Sequence, residues 1–195
     1  KKSAKELRKH TGTYANPGVG IFEVKLVKDT LQANLGGTFG QFIPTKHGDF
    51  LVKVPGPGII TQVRMEFKTV KGYQIMTQTQ QNGSTQLLGN KVQLKSLNNT
   101  WKKRVGKYKV VNTLPGEFKA FSNFAIKLNG NHLAFTIKEN LNGGNMMMAI
   151  QPENNQEGYT LGLGRQAGNY VRFTTNAQGR EVLHFYGYQM VKEKE

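Results

Sequence analysis

Cysteine is absent from the 195-residue chain, acidic side chains are scarce, and no apolar run approaches eighteen residues. The first absence excludes disulfides and thiol chemistry. It suits a protein exported by a bacterium that does without disulfides, and it fits many cytosolic proteins equally. The missing apolar run excludes a membrane-crossing helix, and no signal peptide is legible. The start, Lys1-Lys2-Ser3, is expected to be an internal cut in a longer protein. Scarce acid means excess base: 12 Asp and Glu stand against 27 Lys and Arg, a net charge of +15. Split at residue 100, the first half carries 14 basic and 5 acidic residues (+9) and the second 13 and 7 (+6). The excess is therefore spread over both halves. Such a field attracts polyanions and says nothing about fold. Nucleic acid, anionic cell-wall polymers and lipid headgroups are the candidate partners.

Catalytic signatures are missing as well. There is no Gly-x-Ser-x-Gly elbow, and Glu6 and Leu87 stand three residues after Ser3 and Ser84, so neither serine opens a Ser-x-x-Lys motif. His10, His47, His132 and His184 never fall at a metal-ligand spacing. The carboxylates offer no pair for glycoside chemistry. The run from Gly162 to Gly168 has its third glycine one residue late for a nucleotide loop and no helical pattern after it. It reads as a hairpin corner. No catalytic residue, metal site or cofactor is expected.

What the chain does contain is a duplication. Leu7-x4-Gly12-x-Tyr14 returns as Trp101-x4-Gly106-x-Tyr108. Phe22-x-Val24-Lys25-Leu26-x4-Leu31-x-Ala33-x-Leu35 returns as Phe124-x-Ile126-Lys127-Leu128-x4-Leu133-x-Phe135-x-Ile137. Internal repeats decide the fold reading before anything else. Alternation with a period of two dominates both copies, as in half-buried antiparallel strands. Turn signals such as Lys28-Asp29, Asn82-Gly83 and Asn142-Gly143-Gly144 punctuate it. Strands are expected near 12–14, 21–27, 30–35, 40–44, 50–54, 61–68, 74–79 and 85–92. In the second half they are expected near 106–111, 123–128, 132–138, 146–150, 159–163, 170–174 and 182–190. Short helical turns fit only 4–10 and 97–104. Seven or eight strands per copy can close into a barrel and remove every edge. The fold class expected is all-β, with two tandem antiparallel up-and-down eight-stranded barrels over 1–97 and 98–195. One larger barrel or sandwich is the alternative.

Two sets of residues could bind something. Lys102, Lys103, Arg104, Lys107 and Lys109 form the densest basic stretch, with Lys1, Lys2, Lys5, Arg8 and Lys9 as its counterpart. They are candidates for an anionic polymer, or a solvated lead-in to the first strand. Aromatics are not interleaved with them, so nucleic acid ranks last. In the run 182–190, read as one strand, Val182, His184, Tyr186, Tyr188 and Met190 share a face. Met146 and Met148 could join that lining. With Tyr159, the residues Met146, Met148, His184, Tyr186 and Tyr188 are the candidate contacts of a small apolar ligand; the alternative is ordinary core packing.

The run Leu7-x4-Gly12-Thr13-Tyr14-Ala15-Asn16-Pro17-Gly18-Val19-Gly20-x-Phe22-x-Val24, followed by Leu31 and Gly48-Asp49-Phe50, resembles the lipocalin-like domain found behind beta-lactamase-like serine hydrolases. Val19 stands where that family usually has tyrosine. Trp101-Lys102-Lys103-x2-Gly106-Lys107-Tyr108, Leu163-Gly164-Arg165 and Phe185-Tyr186-Gly187-Tyr188 resemble the further C-terminal segment of such hydrolases. The resemblance implies lipocalin-like barrels and a non-catalytic accessory region of an extracytoplasmic enzyme. Its partner would be an upstream serine-hydrolase domain, and its place the exterior or cell surface of a bacterium. There it would shape substrate access, assembly or envelope contact. An independent binder of a small apolar ligand is the other reading.

Overall fold

The computed structural model describes residues 2–18, 20–35, 37–56, 58–164 and 167–194. The chain forms two compact units, one ending at Gln93 and one beginning at Leu94. The first holds helix α1 (Ala4–Arg8) and strands β1 (Gly12–Asn16), β2 (Gly20–Val27), β3 (Thr30–Leu35), β4 (Thr38–Pro44), β5 (Phe50–Val54), β6 (Gly58–Val70), β7 (Tyr73–Gln80) and β8 (Thr85–Val92). The second holds α2 (Asn99–Lys102), β9 (Gly106–Val110), β10 (Phe121–Asn129), β11 (His132–Glu139), β12 (Asn145–Pro152), β13 (Glu157–Thr160), β14 (Tyr170–Thr175), β15 (Glu181–Phe185) and β16 (Tyr188–Lys192). In each unit every strand pairs with the next and the last returns to the first, giving two closed eight-stranded antiparallel barrels. Closure gives every strand two paired neighbours, so neither sheet has an edge strand among the described residues.

Each barrel has its own core, so Phe22 and Phe124 lie in separate interiors. Alternation sorts the side chains as the pattern implies. Phe22 and Val24 are buried while Glu23 and Lys25 are exposed; Leu133, Phe135 and Ile137 all face the second core. Burying each such large apolar side chain contributes about 1.5–3 kcal/mol.

The duplicated Gly-x-Tyr builds the same device twice. A short helix precedes it, and that helix's penultimate residue, Leu7 or Trp101, is fully buried. Tyr14 Oη donates to the His10 carbonyl at 2.9 Å, and Tyr108 Oη to the Arg104 carbonyl at 2.7 Å. From the last strand, Lys91 Nζ donates to the Lys9 carbonyl at 3.3 Å and Lys192 Nζ to the Lys103 carbonyl at 3.1 Å. These lysines satisfy carbonyls that the helix ends leave open. Each passes directly over Gly12 or Gly106, whose φ values are +136° and +152°. A side chain there would meet the lysine stem and strain the backbone. Gly106→Ala should therefore destabilise the second barrel by about 1 kcal/mol or more; an unchanged urea midpoint would contradict this latch.

The division of the chain comes four residues earlier than the 97/98 boundary expected. The physical reason is anchoring: the Lys95 N–H donates to Gln151 Oε1 at 3.1 Å, and Leu97 packs on the second core. The run 182–190 is two strands, not one. Tyr186 and Gly187, with φ of 53° and 77°, form a two-residue turn that pairs Phe185 with Tyr188. Positive φ at both positions is the turn type that matches strand twist. The turn also reverses the parity expected for this segment. Leu183, Phe185, Tyr188 and Met190 face the core, and Val182 and His184 face outward. The strand expected over 159–163 ends at Thr160, whose N–H and Oγ1 are taken by Asn169.

One titratable group is built into the first barrel's closed end. His10 stacks on Phe67 at 4.5 Å between ring centroids and meets Phe50 edge-on at 5.9 Å. Burial, and then Lys2, Lys91 and Lys9, hold its imidazole below the ordinary value of 6.5. A lowered folded pKa means the unfolded chain binds the proton more readily. This contribution to stability is present above about pH 6.5 and is lost as pH falls through the lower folded value. Melting followed from pH 8 to 5 should show a decline that His10→Gln flattens; a parallel decline in the variant would rule out His10 as its source.

Candidate anion-binding groove

The basic stretch from Lys102 to Lys109 does not stay together. Asn98 caps α2 by accepting from the Trp101 N–H at 3.0 Å, which turns Trp101 into the barrel. Trp101 Nε1 donates to the Asn154 carbonyl at 2.7 Å. Arg104 follows it in and is 4% exposed. Its Nε donates to both Glu181 carboxylate oxygens at 3.1 Å and its Nη1 to the Asn155 carbonyl at 2.7 Å. The guanidinium lies 3.8 Å from the Phe173 ring centroid and 4.8 Å from that of Trp101. Arg104 is thus a structural plug and is not available to a polymer, which corrects its place among the polyanion-binding candidates. The reason is desolvation: a charge buried this far needs a fixed partner, and Glu181 supplies it. Burial, with Glu181 assisting and Arg104 opposing, pushes the neighbouring Tyr108 phenol upward. Lys102 and Lys103 remain exposed near this closed end.

Lys107 and Lys109 are carried elsewhere. They flank the inward Tyr108 on β9 and so share its outer face. Pairing of β9 with β10 stops at Tyr108–Phe124. Beyond that point Lys109 and Val110 pair only with β16, while Phe121 and Ser122 pair only with β11. A bulge between Ser122 and Ala125, with Asn123 at φ 53°, bends β10 away. Bulges commonly re-aim side chains in this manner. The two strands fork, and a groove of about 650 Å³ opens between them. Its described lining includes Lys107, Lys109, Lys119 and Lys127, with Glu193 as the one carboxylate among them. Four positive charges and one negative leave +3 over the described lining residues. Among the described residues, none of these lysines is in an ion pair.

No protein-family model, curated protein or solved structure matches this chain.

The groove's own chemistry is that of anion capture. Lys107 and Lys109 occupy alternate positions of β9, whose Cα atoms are roughly 6–7 Å apart, a spacing suited to successive charges of an extended chain. Ser122 Oγ donates to Asn140 Oδ1 at 2.6 Å, and the described lining has no histidine to activate it. Among the described residues no group of His, Cys, Asp and Glu is placed to hold a metal ion. Lys119 and Lys127 were missed from sequence. Lys127 was legible in principle: it lies two residues beyond Ala125, which pairs with Lys107, so both lysines fall on the outer face. Lys119 sits in an irregular loop and carries no pattern.

The apolar-ligand set also disperses. Met148 is fully buried in the core, with Met146 and Tyr188 packed against it. Tyr159 pairs with Gln151 and Tyr170 on the outer face. His184 also faces out, its Nε2 2.7 Å from Thr174 Oγ1. Tyr186 sits in the turn, 41% exposed. The centre where these six were expected to converge holds Phe135 against Phe185 at 4.6 Å and Phe124 against Phe135 at 6.0 Å. Of the sequence features quoted above, Lys1, Val19, Arg165 and Gln166 lie outside the described residues.

Proposed function

We propose that this chain is a non-catalytic accessory region of an extracytoplasmic serine hydrolase of the beta-lactamase or penicillin-binding type. In this reading its second barrel holds the enzyme on an anionic polymer of the bacterial envelope, and an upstream hydrolase domain of the same protein is its partner. The Gly-Thr-Tyr-Ala-Asn-Pro-Gly resemblance supports the setting. The observation that carries the binding role is the fork between β9 and β10, where four lysines, none in an ion pair among the described residues, meet in one groove. The apolar-ligand alternative is the weaker reading, because aromatic side chains occupy the centre of the second barrel.

Titration of the full chain with a soluble phosphodiester polymer should show binding that weakens steeply with salt, through release of condensed counterions. A neutral glycan of the same length should not bind. Lys107→Glu with Lys127→Glu should weaken polymer binding at least about tenfold, or about 1.4 kcal/mol. Both sites are on the surface, so the melting temperature should hardly change. Equal binding by this double variant would remove the groove from the function. Turnover of nitrocefin by the clean chain would refute the accessory reading itself.

A further inference from the structure

The second barrel's exposed apolar side chains are gathered at one end. Following the strands, loops 111–120 and 140–144, the segments 161–164 and 167–169 and the turn 186–187 lie at the open end, opposite the end plugged by Trp101 and Arg104. Among the described residues of this unit, seven large apolar ones are exposed. Six of them, Val111, Leu114, Phe118, Leu141, Tyr170 and Tyr186, lie on or beside these open-end segments, and only Leu128 lies at the other end. Leu114, Leu141 and Phe118 are 75%, 70% and 66% exposed.

These tips are held in place. Asn112 Nδ2 donates to the Gly187 carbonyl at 2.9 Å, and its Oδ1 accepts from the Gln189 N–H at 2.8 Å. The Ala120 N–H donates to Tyr188 Oη at 3.0 Å. Asn140 donates to the Ala120 carbonyl through its backbone and to the Lys119 carbonyl through Nδ2. The loop 111–120 is therefore fastened both to the β15–β16 turn and to the β11–β12 loop. A fixed loop that turns leucine and phenylalanine outward keeps an apolar patch in water, and such patches mark contact surfaces. Lys109 near the end of β9, Lys119 in loop 111–120 and Lys138 near the end of β11 lie at this end. Glu117 and Glu139 lie at the same end, and the Glu117 carboxylate accepts from the Leu114 N–H at 2.9 Å.

We propose that the open end of the second barrel docks on an anionic lipid bilayer. Leu114, Phe118 and Leu141 enter the boundary between headgroups and acyl chains, and Lys109, Lys119 and Lys138 meet lipid phosphates. Protruding apolar tips with flanking lysines suit a soft, negatively charged interface, where apolar burial and electrostatic attraction add. The chain's +15 charge favours the same surface at longer range. This docking does not require polymer binding in the groove.

The test uses the full chain carrying Phe118→Trp and vesicles of phosphatidylcholine with rising phosphatidylglycerol. Trp101, the chain's only native tryptophan, is buried at the opposite end and supplies a constant background. The added indole should shift to the blue, and co-sedimentation should rise with the phosphatidylglycerol fraction. Leu114→Ser, Phe118→Ser and Leu141→Ser together should lower vesicle partitioning at least about tenfold while leaving soluble-polymer binding intact. An unshifted emission at every lipid composition, or equal partitioning by the triple serine variant, would overturn the proposal. So would concentration-dependent self-association that the serine variant abolishes in the absence of vesicle binding, since the patch would then serve a second copy of the chain.

Discussion

Trp101→Ala should unfold the second barrel at a markedly lower denaturant concentration than the native chain, with a loss of about 3–5 kcal/mol. Trp101 is fully buried, meets Phe173 edge-on at 5.4 Å and donates to the Asn154 carbonyl. Truncation removes the plug, leaves that carbonyl without its donor, and strips one ring from beneath the Arg104 guanidinium. Gly158, which faces the ring, has no side chain to fill the space, and its backbone is held by pairing with Pro152 and Val171. For a unit of about this size, such a loss lowers the melting temperature by on the order of 15 °C. Far-ultraviolet circular dichroism under urea is the right probe, since the variant has no indole left to report. A midpoint within error of the native value would show that the closed end repacks freely.

Glu181→Ala should cost more than Arg104→Met, although Glu181 is the more exposed partner. The Arg104 side chain is 4% exposed and that of Glu181 48%. Removing the carboxylate leaves a buried guanidinium with only the Asn155 carbonyl, and an uncompensated buried charge is strongly destabilising. Because water can partly reach the vacated position, the lower end of the cost of breaking a buried pair applies, about 3 kcal/mol. Arg104→Met keeps an apolar stem against Trp101 and Phe173 and frees Glu181 to take up water, so about 1 kcal/mol is expected. Paired unfolding curves decide the order. If Arg104→Met is the worse of the two, cation–π contact and the Asn155 bond outweigh charge compensation.

The barrels were legible because their information is local. Period-two alternation and turn residues are written in consecutive letters, and the repeat shows that one solution serves twice. All eight strands of the first unit fall where the pattern puts them. In the second unit the pattern failed at Tyr186-Gly187. An aromatic residue at positive φ is rare, so the letters carry no turn signal there, and carrying one alternation through the turn puts the residues before it on the wrong face relative to Tyr188 and Met190. That is why His184 reads as a core residue, and Leu183 and Phe185 as outward ones.

The groove was less legible, for a different reason. Lys107 and Lys109 stand out in the sequence, but their partners Lys119 and Lys127 come from another segment, brought near by a bulge at Asn123. Arg104 sits among lysines in the sequence, and composition cannot distinguish a solvated cation from one held over two aromatic rings. Only burial does.

By itself, then, the amino-acid order determined that this chain is all-β, that it folds as two barrels, and which strands line each core, because alternation and turn chemistry act between near neighbours. Tertiary structure alone decided which cations are structural and which are free, where β9 and β10 part, and which end of the second barrel presents its apolar tips. Those outcomes depend on strand register and desolvation, which arise only when distant segments meet.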